Sequence, residues 1–244
     1  MSDSLIIIPT YNEKENVERM IRKVFSLAHP FHLLIVDDGS PDGTATIVKN
    51  LMNGFPNKLF IEERKGKLGL GTAYIHGFEW ALAKKNSSGK NQYEYIFEMD
   101  CDFSHNPEDL IRLRNACVQG ADVAIGSRYV KGGHIENWPQ DRVLMSYFAS
   151  VYVRMVLWLP VRDTTAGFKC YKRKVLERIN FSEIKFIGYA FQIEMKYTAY
   201  KLGFKIVEVP ITFIDRREGV SKMSNGIFKE AFLGVLQMRF KKIN

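Results

Sequence analysis

"HLLIVDDGSPDGT", residues 32–44, sets an apolar β-type run against two acids, a Gly/Pro turn and then a threonine that opens a helical pattern. The same order occurs upstream, where "SLIIIP" (4–9) leads into "NEKENVERMIRKVFSLA" (12–28) with Val17, Met20, Ile21 and Val24 at helical spacing. It recurs as "NKLFIEER" (57–64) before "GLGTAYIHGFEWALAKK" (69–85). "YEYIFEMD" (93–100) precedes a helix opening near Pro107, and "ADVAIGSRY" (121–129) reads as a fifth strand. Strand and helix alternating over short connections predict an α/β fold with a mostly parallel sheet flanked by helices. The first four strands are nearly unbroken apolar runs, so helices are expected on both faces.

In such sheets ligands bind outside the carboxyl ends of the strands. Those ends carry "PTYNE", "DDGS", "DCDFS" and "GSRY", which predicts one site at one rim. Beyond residue 130 the pattern changes. "KGGHIENWP" (131–139) reads as a loop, and 141–160 as a helix whose Arg142, Ser146, Ser150 and Arg154 form one stripe at every fourth position. Residues 167–173 read as a strand, 189–203 as a helix, 204–215 as a strand interrupted by Pro210, and 216–226 as a loop. A basic amphipathic helix is expected over 227–243.

The length of 244 residues suits one large domain or a domain with an appendage, and 46% hydrophobic residues are enough for a sizeable core. The formal charge of +8 favours anionic partners: phosphates, nucleic acid or an acidic membrane surface. No helix-turn-helix, zinc-finger or RNP signature accompanies that charge, which argues against nucleic acid. Cys101, Cys117 and Cys170 are odd in number and lack metal-type spacing, so a reducing compartment without a disulfide framework is expected. The opening "MSDSLIIIPTYNE" has too short an apolar run for a signal peptide.

Asp100 and Asp102 lie two apart at a strand end and so present two carboxylates to one side. Such a pair fits a hard divalent cation, with Ser104 as a weaker oxygen; it also fits a cap on the next helix or a glycosidase-like acid/base pair. Asp37 and Asp38 are equally open between contacts to a base or ribose and an N-capping turn with Ser40 and Asp42. "KLGLGTA" (67–73) is neither a P-loop nor a dinucleotide fingerprint; Gly69 and Gly71 suit close packing of a helix start against a flat ligand.

Taken in order, "IIIPTYNEKENV", "IVDDGSPDGT", "KLGLGTAYIHG", "MDCDFSHNPEDL", "GSRYVKGG", "DTTAGFKCY" and "RREGVSK" resemble family 2 glycosyltransferases of the GT-A fold. More narrowly, they resemble the dolichol- or polyprenyl-phosphate mannose synthases, over nearly the whole chain. The resemblance implies a nucleotide-sugar donor, usually GDP-mannose, a polyprenyl or dolichyl phosphate acceptor, and Mg²⁺ or Mn²⁺. It implies that Pro9, Tyr11, Glu13, Asp37 and Asp38 line the nucleotide pocket, that Gly71 and Ala73 border it, and that Asp100, Asp102 and Ser104 hold the metal. Arg128, Arg142 and Ser146 would take the acceptor phosphate. Asp102, Arg128, Arg216 and Lys222 would form the catalytic set, the last two in a lid over the diphosphate. Residues 1–226 would then be the GT-A catalytic domain and 227–244 a membrane-proximal basic helix.

A phosphate acceptor is already largely anionic at pH 7 and attacks without losing a proton. No general base is therefore expected, and His105 reads as a solvent-facing turn residue. The lipid tail of the acceptor calls for a membrane. Residues 143–161 approach spanning length, but Arg154 and the serines interrupt them. They read either as an interfacial or pocket-lining helix or as a buried core helix. Phe228, Phe232, Leu236 and Phe240 alternate with Lys229, Arg239, Lys241 and Lys242, as a helix docked on an anionic surface would. Peripheral binding at the cytosolic face, directly or through a small membrane-anchoring subunit, is expected. The competing expectations are a UDP-dependent glucosyl- or N-acetylhexosaminyltransferase and a non-catalytic nucleotide-binding module.

Overall fold

The structure, a computed structural model, describes residues 2–215 and 225–241. The expected alternation is present: β1 (Ser4–Thr10), α1 (Val17–Phe25), β2 (His32–Asp37), α2 (Thr44–Met52), β3 (Leu59–Glu63), α3 (Leu70–Ala83), β4 (Tyr95–Glu98), α4 (Asp109–Val118) and β5 (Val123–Ser127). There follow β6 (His134–Glu136), α5 (Gln140–Leu157), β7 (Lys169–Lys172), α6 (Arg173–Arg178), α7 (Tyr189–Lys201), β8 (Ile206–Pro210), β9 (Thr212–Ile214) and α8 (Asn225–Phe240).

Among the described residues the main sheet has seven strands in the order β3-β2-β1-β4-β7-β5-β8. All neighbouring pairs are parallel except those of β7, which is antiparallel to both β4 and β5. Alternation along the strands divides the core in two. Leu5, Ile7, Leu34, Val36 and Ile96 face the side covered by α3 and α7, where Tyr74, Phe78, Phe191 and Met195 join them. Ile6, Ile8, Leu33, Ile35 and Phe97 face α1, α2 and α4, meeting Met20, Ile21, Val48 and Leu113. The continuous apolar runs in the sequence follow from this double covering.

Three expectations change. The stretch 131–139 is not simply a loop, because β6 within it pairs in parallel with β9 to form a second small sheet. A strand of three residues carries no readable period, so only its partner reveals it. Gly133, just before β6, lets the chain pass close to the end of β5: a Cβ there would lie 2.6 Å from the Ser127 carbonyl oxygen. α1 begins at Val17 rather than near residue 12, and α5 ends at Leu157, with Trp158 in the left-handed region at φ 52°. Pro210 does separate two strands, with β9 starting at Thr212.

α8 packs on the body through its inner face. Val235 and Met238 are buried in the main core, the Tyr152 hydroxyl donates to the Phe232 carbonyl at 3.1 Å, and Lys241 pairs with buried Glu194 at 2.8 Å. Among the described residues no helix is long and apolar enough to cross a membrane. Cys101, Cys117 and Cys170 are buried free thiols.

Candidate active site

The chain leaving β4 turns sharply, with Phe103 at φ 59°, and delivers Asp100, Asp102 and Ser104 to a cavity of about 500 Å³. The Ser104 N–H donates to Asp102 Oδ1 at 3.0 Å, and its carbonyl accepts from the Ile214 N–H at 3.1 Å, which ties this turn to β9. The donor set is oxygen only, and among the described residues no cluster of three or more His, Cys, Asp or Glu is placed to hold a metal. Two carboxylates and a hydroxyl fit a hard divalent cation whose remaining positions go to substrate and water. Burial, reinforced by the charges of Asp100 and Glu98, pushes the Tyr74 hydroxyl well above its ordinary value, so it stays a neutral group beside the pair.

Arg128, at the end of β5, lines the same cavity. Its backbone N–H, Nε and Nη2 donate to Asp163 at 2.9, 2.7 and 2.6 Å, and Nη2 also reaches Thr165 Oγ1 at 2.8 Å. Burial opposes ionisation of Asp163, but the Arg128 charge and its hydrogen bonds outweigh that and hold the carboxyl below its usual range. Asp163 is held in turn: its N–H and that of Arg162 donate to the two oxygens of Glu208 at 2.9 and 2.8 Å, and Ser127 Oγ donates to the first at 2.8 Å.

Near the carboxylate pair lies a buried ionic cluster. Glu98 and Lys169, cross-strand neighbours on β4 and β7, are both fully buried and 2.9 Å apart. Gln192 Nε2 and the Tyr171 hydroxyl complete the Glu98 carboxylate at 2.8 and 2.9 Å. Burial, with the positive Lys169 nearby, pushes Lys196 well below its usual range while its Nζ donates to the Ala166 carbonyl at 2.5 Å.

α5 forms one wall. Arg142 lies over the Trp138 ring at 4.0 Å and donates to both oxygens of Asp215 at 3.3 Å. Ser146 also lines the cavity, whereas Ser150 is fully buried. The helix is thus neither wholly interfacial nor wholly core: Val153 and Leu157 are buried, while Phe148, Met155 and Trp158 are 63%, 70% and 71% exposed.

Of the four strand-end clusters, "DCDFS" and "GSRY" line this cavity, and "PTYNE" and "DDGS" do not. Asp37 is fully buried, accepting from Thr10 Oγ1 at 2.8 Å and from the Ser40 N–H and Oγ at 2.8 and 2.6 Å. Asp38 pairs with Arg64 at 2.5 Å. Pro9 is half-buried on β1, Tyr11 lies under Lys67 at 5.2 Å, and Glu13 accepts from Asn16 at 3.1 Å. These residues sit at the rim of β1 and β2, beside the cavity and not in its lining. Gly71 and Ala73 both pack against protein: a Cβ on Gly71 would lie 2.8 Å from the Phe191 ring, and Ala73 is fully buried in the core. Leu70 is the residue of that helix start that reaches the cavity.

His105 also departs from expectation. It is 4% exposed, stacked on Phe168 at 4.9 Å, and burial pushes its imidazole down to about 4. Reading by local polarity missed it because Phe213, 108 positions on, closes over it. Asp163, Thr165, Gln192 and Trp138 were likewise not singled out; the "DTTAGFKCY" stretch held the signal for the first two. Arg216 and Lys222 lie outside the described residues.

The profile described as glycosyl transferase family 2 matches residues 5–179. The polyprenol monophosphomannose synthase of Mycolicibacterium smegmatis is 45% identical over 96% of this chain and 86% of its own. The undecaprenyl-phosphate mannosyltransferase of Micrococcus luteus is 42% identical over 95% and 91%. Among solved structures, glucosyl-3-phosphoglycerate synthase from Mycobacterium tuberculosis, in complex with Mn²⁺, UDP and glucosyl-3-phosphoglycerate, superposes with a TM-score of 0.69 at 17% identity over 96% of this chain and 79% of that one. A Pyrobaculum calidifontis mannosyltransferase in complex with GDP-Man and Mn²⁺ gives 0.58 at 14% over 98% and 70%. At these identities the superpositions speak for the fold, which is GT-A.

Proposed function

The chain belongs to glycosyl transferase family 2, and on that premise we propose that it is an inverting enzyme moving mannose from GDP-mannose to dolichyl or another polyprenyl phosphate. The carrying observation is the make-up of the cavity along α5. Asp100, Asp102, Arg128 and Arg142 contribute charge, while Met145, Phe148, Tyr152, Phe232 and Val235 contribute apolar surface. From Arg142 to Val153 the helix rises about 16 Å, room for a phosphate and the first part of an apolar chain.

A divalent cation, Mg²⁺ or Mn²⁺, bound by Asp100 and Asp102 with Ser104 near, would supply positive charge at the donor diphosphate; the M. tuberculosis and P. calidifontis enzymes were solved with Mn²⁺. Arg128 and Arg142 orient the acceptor phosphate, with Ser146 as a hydroxyl partner. The phosphate oxygen attacks the anomeric carbon and the nucleoside diphosphate departs from the opposite side. No residue needs to remove a proton, and buried His105 is not called upon as a base. Pro9, Tyr11, Glu13, Asp37 and Asp38 remain the proposed nucleotide side, Gly71 and Ala73 act by fixing α3 behind it, and Arg216 and Lys222 are proposed to close over the diphosphate.

The exposed apolar residues of α5 and α8 support peripheral attachment to a membrane, and the proposal further takes the cytosolic side, residues 227–244 as a membrane-proximal extension and a small anchoring subunit as a partner. Purified protein supplied with Mn²⁺ or Mg²⁺, a polyprenyl phosphate and a panel of GDP- and UDP-hexoses tests the reading. Polyprenyl-phosphate mannose is the expected product. A glucosyl or N-acetylhexosaminyl product from a UDP donor would establish the alternative enzyme, and donor binding without turnover a non-catalytic module.

A further inference from the structure

Two polar atoms of the cavity have no part in the chemistry above. His105 Nδ1 and Trp138 Nε1 are buried, belong to residues that line the cavity, and have no hydrogen-bond partner among the described residues. Both rings pack on Phe213, Trp138 edge-on at 5.2 Å and His105 at 5.4 Å. Phe213 therefore joins two side chains that lie 33 positions apart (138 − 105) in the sequence.

The fold produces this meeting. β9 carries Phe213, and β6, whose chain continues to Trp138, pairs with β9 along its length. His105 forms a backbone bridge to Phe213 on the other side. A buried polar group left unpaired costs a protein more than an ordinary hydrogen bond returns, and such groups are rare. Two such atoms around one ring, in one cavity, without a partner among the described residues, point to a polar ligand.

The chemistry of that ligand can be narrowed. Phosphate would call for cations, which Arg128 and Arg142 already provide. An indole N–H and an imidazole set among aromatic rings suit uncharged hydroxyl groups, and the flat rings suit the C–H face of a sugar. The site lies beside the carboxylate pair, His105 Nδ1 being 3.9 Å from Asp100 Oδ2. We propose that His105 and Trp138, held together by Phe213, recognise the hydroxyl groups of the transferred hexose and set which sugar the enzyme accepts. This rests on the glycosyl-transfer reading and adds to it the residues that select the sugar.

The test separates sugar from nucleotide. The donor is the nucleotide hexose that the wild-type enzyme turns over, chosen from GDP- and UDP-hexoses, and calorimetry with Mn²⁺ but no acceptor compares it with the matching nucleoside diphosphate. Trp138→Phe keeps a smaller aromatic ring against Phe213 while removing the indole N–H. It is expected to weaken the nucleotide sugar about tenfold and to leave the nucleoside diphosphate within about twofold, the scale of one buried hydrogen bond. One monodeoxy donor should lose as much with the wild type and lose nothing further with Trp138→Phe. His105→Phe should weaken the nucleotide sugar in the same selective way. Equal weakening of both ligands, or of neither, overturns the proposal, and retained nucleoside diphosphate binding shows that the variant is folded. A wild type inert to every donor would remove the glycosyl-transfer reading and this inference with it; an active wild type with unaffected variants removes this inference alone.

Discussion

The Arg128 guanidinium and the Asp163 carboxylate are joined by two side-chain hydrogen bonds of 2.6 and 2.7 Å, and Asp163 is fully buried. Arg128 is therefore not a loose cation awaiting phosphate. Its position is set by a carboxylate that Glu208 anchors through two backbone N–H groups. The arrangement aims the guanidinium before substrate arrives, at the cost of part of its charge.

Asp163→Asn should consequently impair both folding and turnover. Removing one partner of a buried ion pair typically destabilises by about 3–5 kcal/mol, measurable by urea unfolding. The pH dependence has a definite sign. The folded carboxyl lies below its usual range, so its contribution is complete above about 3.9, the unfolded value, and is lost as pH falls through the lower folded value. The stability gap between wild type and Asp163→Asn should be constant from neutral pH down to about 5 and then shrink as the medium is acidified. A gap that stays constant into strong acid would mean that Asp163 acts by shape and not by charge.

Asp102→Asn should weaken Mn²⁺ binding, read from free Mn²⁺ by electron paramagnetic resonance, and lower kcat by about 10²-fold or more, the scale of losing an electrostatic stabiliser. Asp100→Asn should do the same to a lesser or equal degree. Chelator should abolish the wild-type reaction and excess Mn²⁺ restore it. Unchanged Mn²⁺ affinity in both variants would return the pair to the helix-capping role.

The rim and both faces of the sheet were legible because they rest on local pattern: unbroken apolar runs such as Leu33–Val36 ending in acids, each followed by a helical period. What was not legible depends on partners remote in sequence. β6 exists only by pairing with β9, His105 is buried only because Phe213 closes over it, and β7 enters the sheet antiparallel between β4 and β5. The glycine-rich start of α3 was informative about closeness but not about what is close. Its neighbour is Phe191 of α7, a ring 120 positions along the chain (191 − 71).

That contact gives a prediction of its own. Gly71→Ala places a methyl 2.8 Å from the Phe191 ring and 3.0 Å from the Phe186 carbonyl oxygen, and neither the helix nor the core ring can withdraw easily. Overpacking of this kind costs about 1–3 kcal/mol. For a chain of this size each kcal/mol lowers Tm by about 2–4 °C. Because Leu70 precedes Gly71 and lines the cavity, the shift should also raise the KM for the donor. A Tm equal to wild type would show that α3 has slack against α7.

Attachment to a membrane is best tested without removing α8. Deleting everything beyond residue 225 would strip Val235 and Met238 from the core and uncover Phe186, against which Gly234 sits. Lost flotation would then report unfolding. The outward residues offer a cleaner probe: Trp158, at the end of α5, is 71% exposed with Arg239 of α8 over its ring at 4.3 Å, and Phe240 is 84% exposed. Sinking one such aromatic ring into the headgroup boundary is worth about 1.5–3 kcal/mol at full burial, and each nearby Lys or Arg adds about 1 kcal/mol on an anionic surface. Trp158→Glu and Phe240→Glu should each reduce flotation with phosphatidylserine vesicles by about tenfold or more, with less loss on neutral vesicles, where little charge attraction exists to be offset. Turnover of a short, water-soluble polyprenyl phosphate should be preserved in both, since neither residue lines the cavity. Unaltered flotation in the double variant would exclude this face as the membrane contact, whatever anchors the protein in its place.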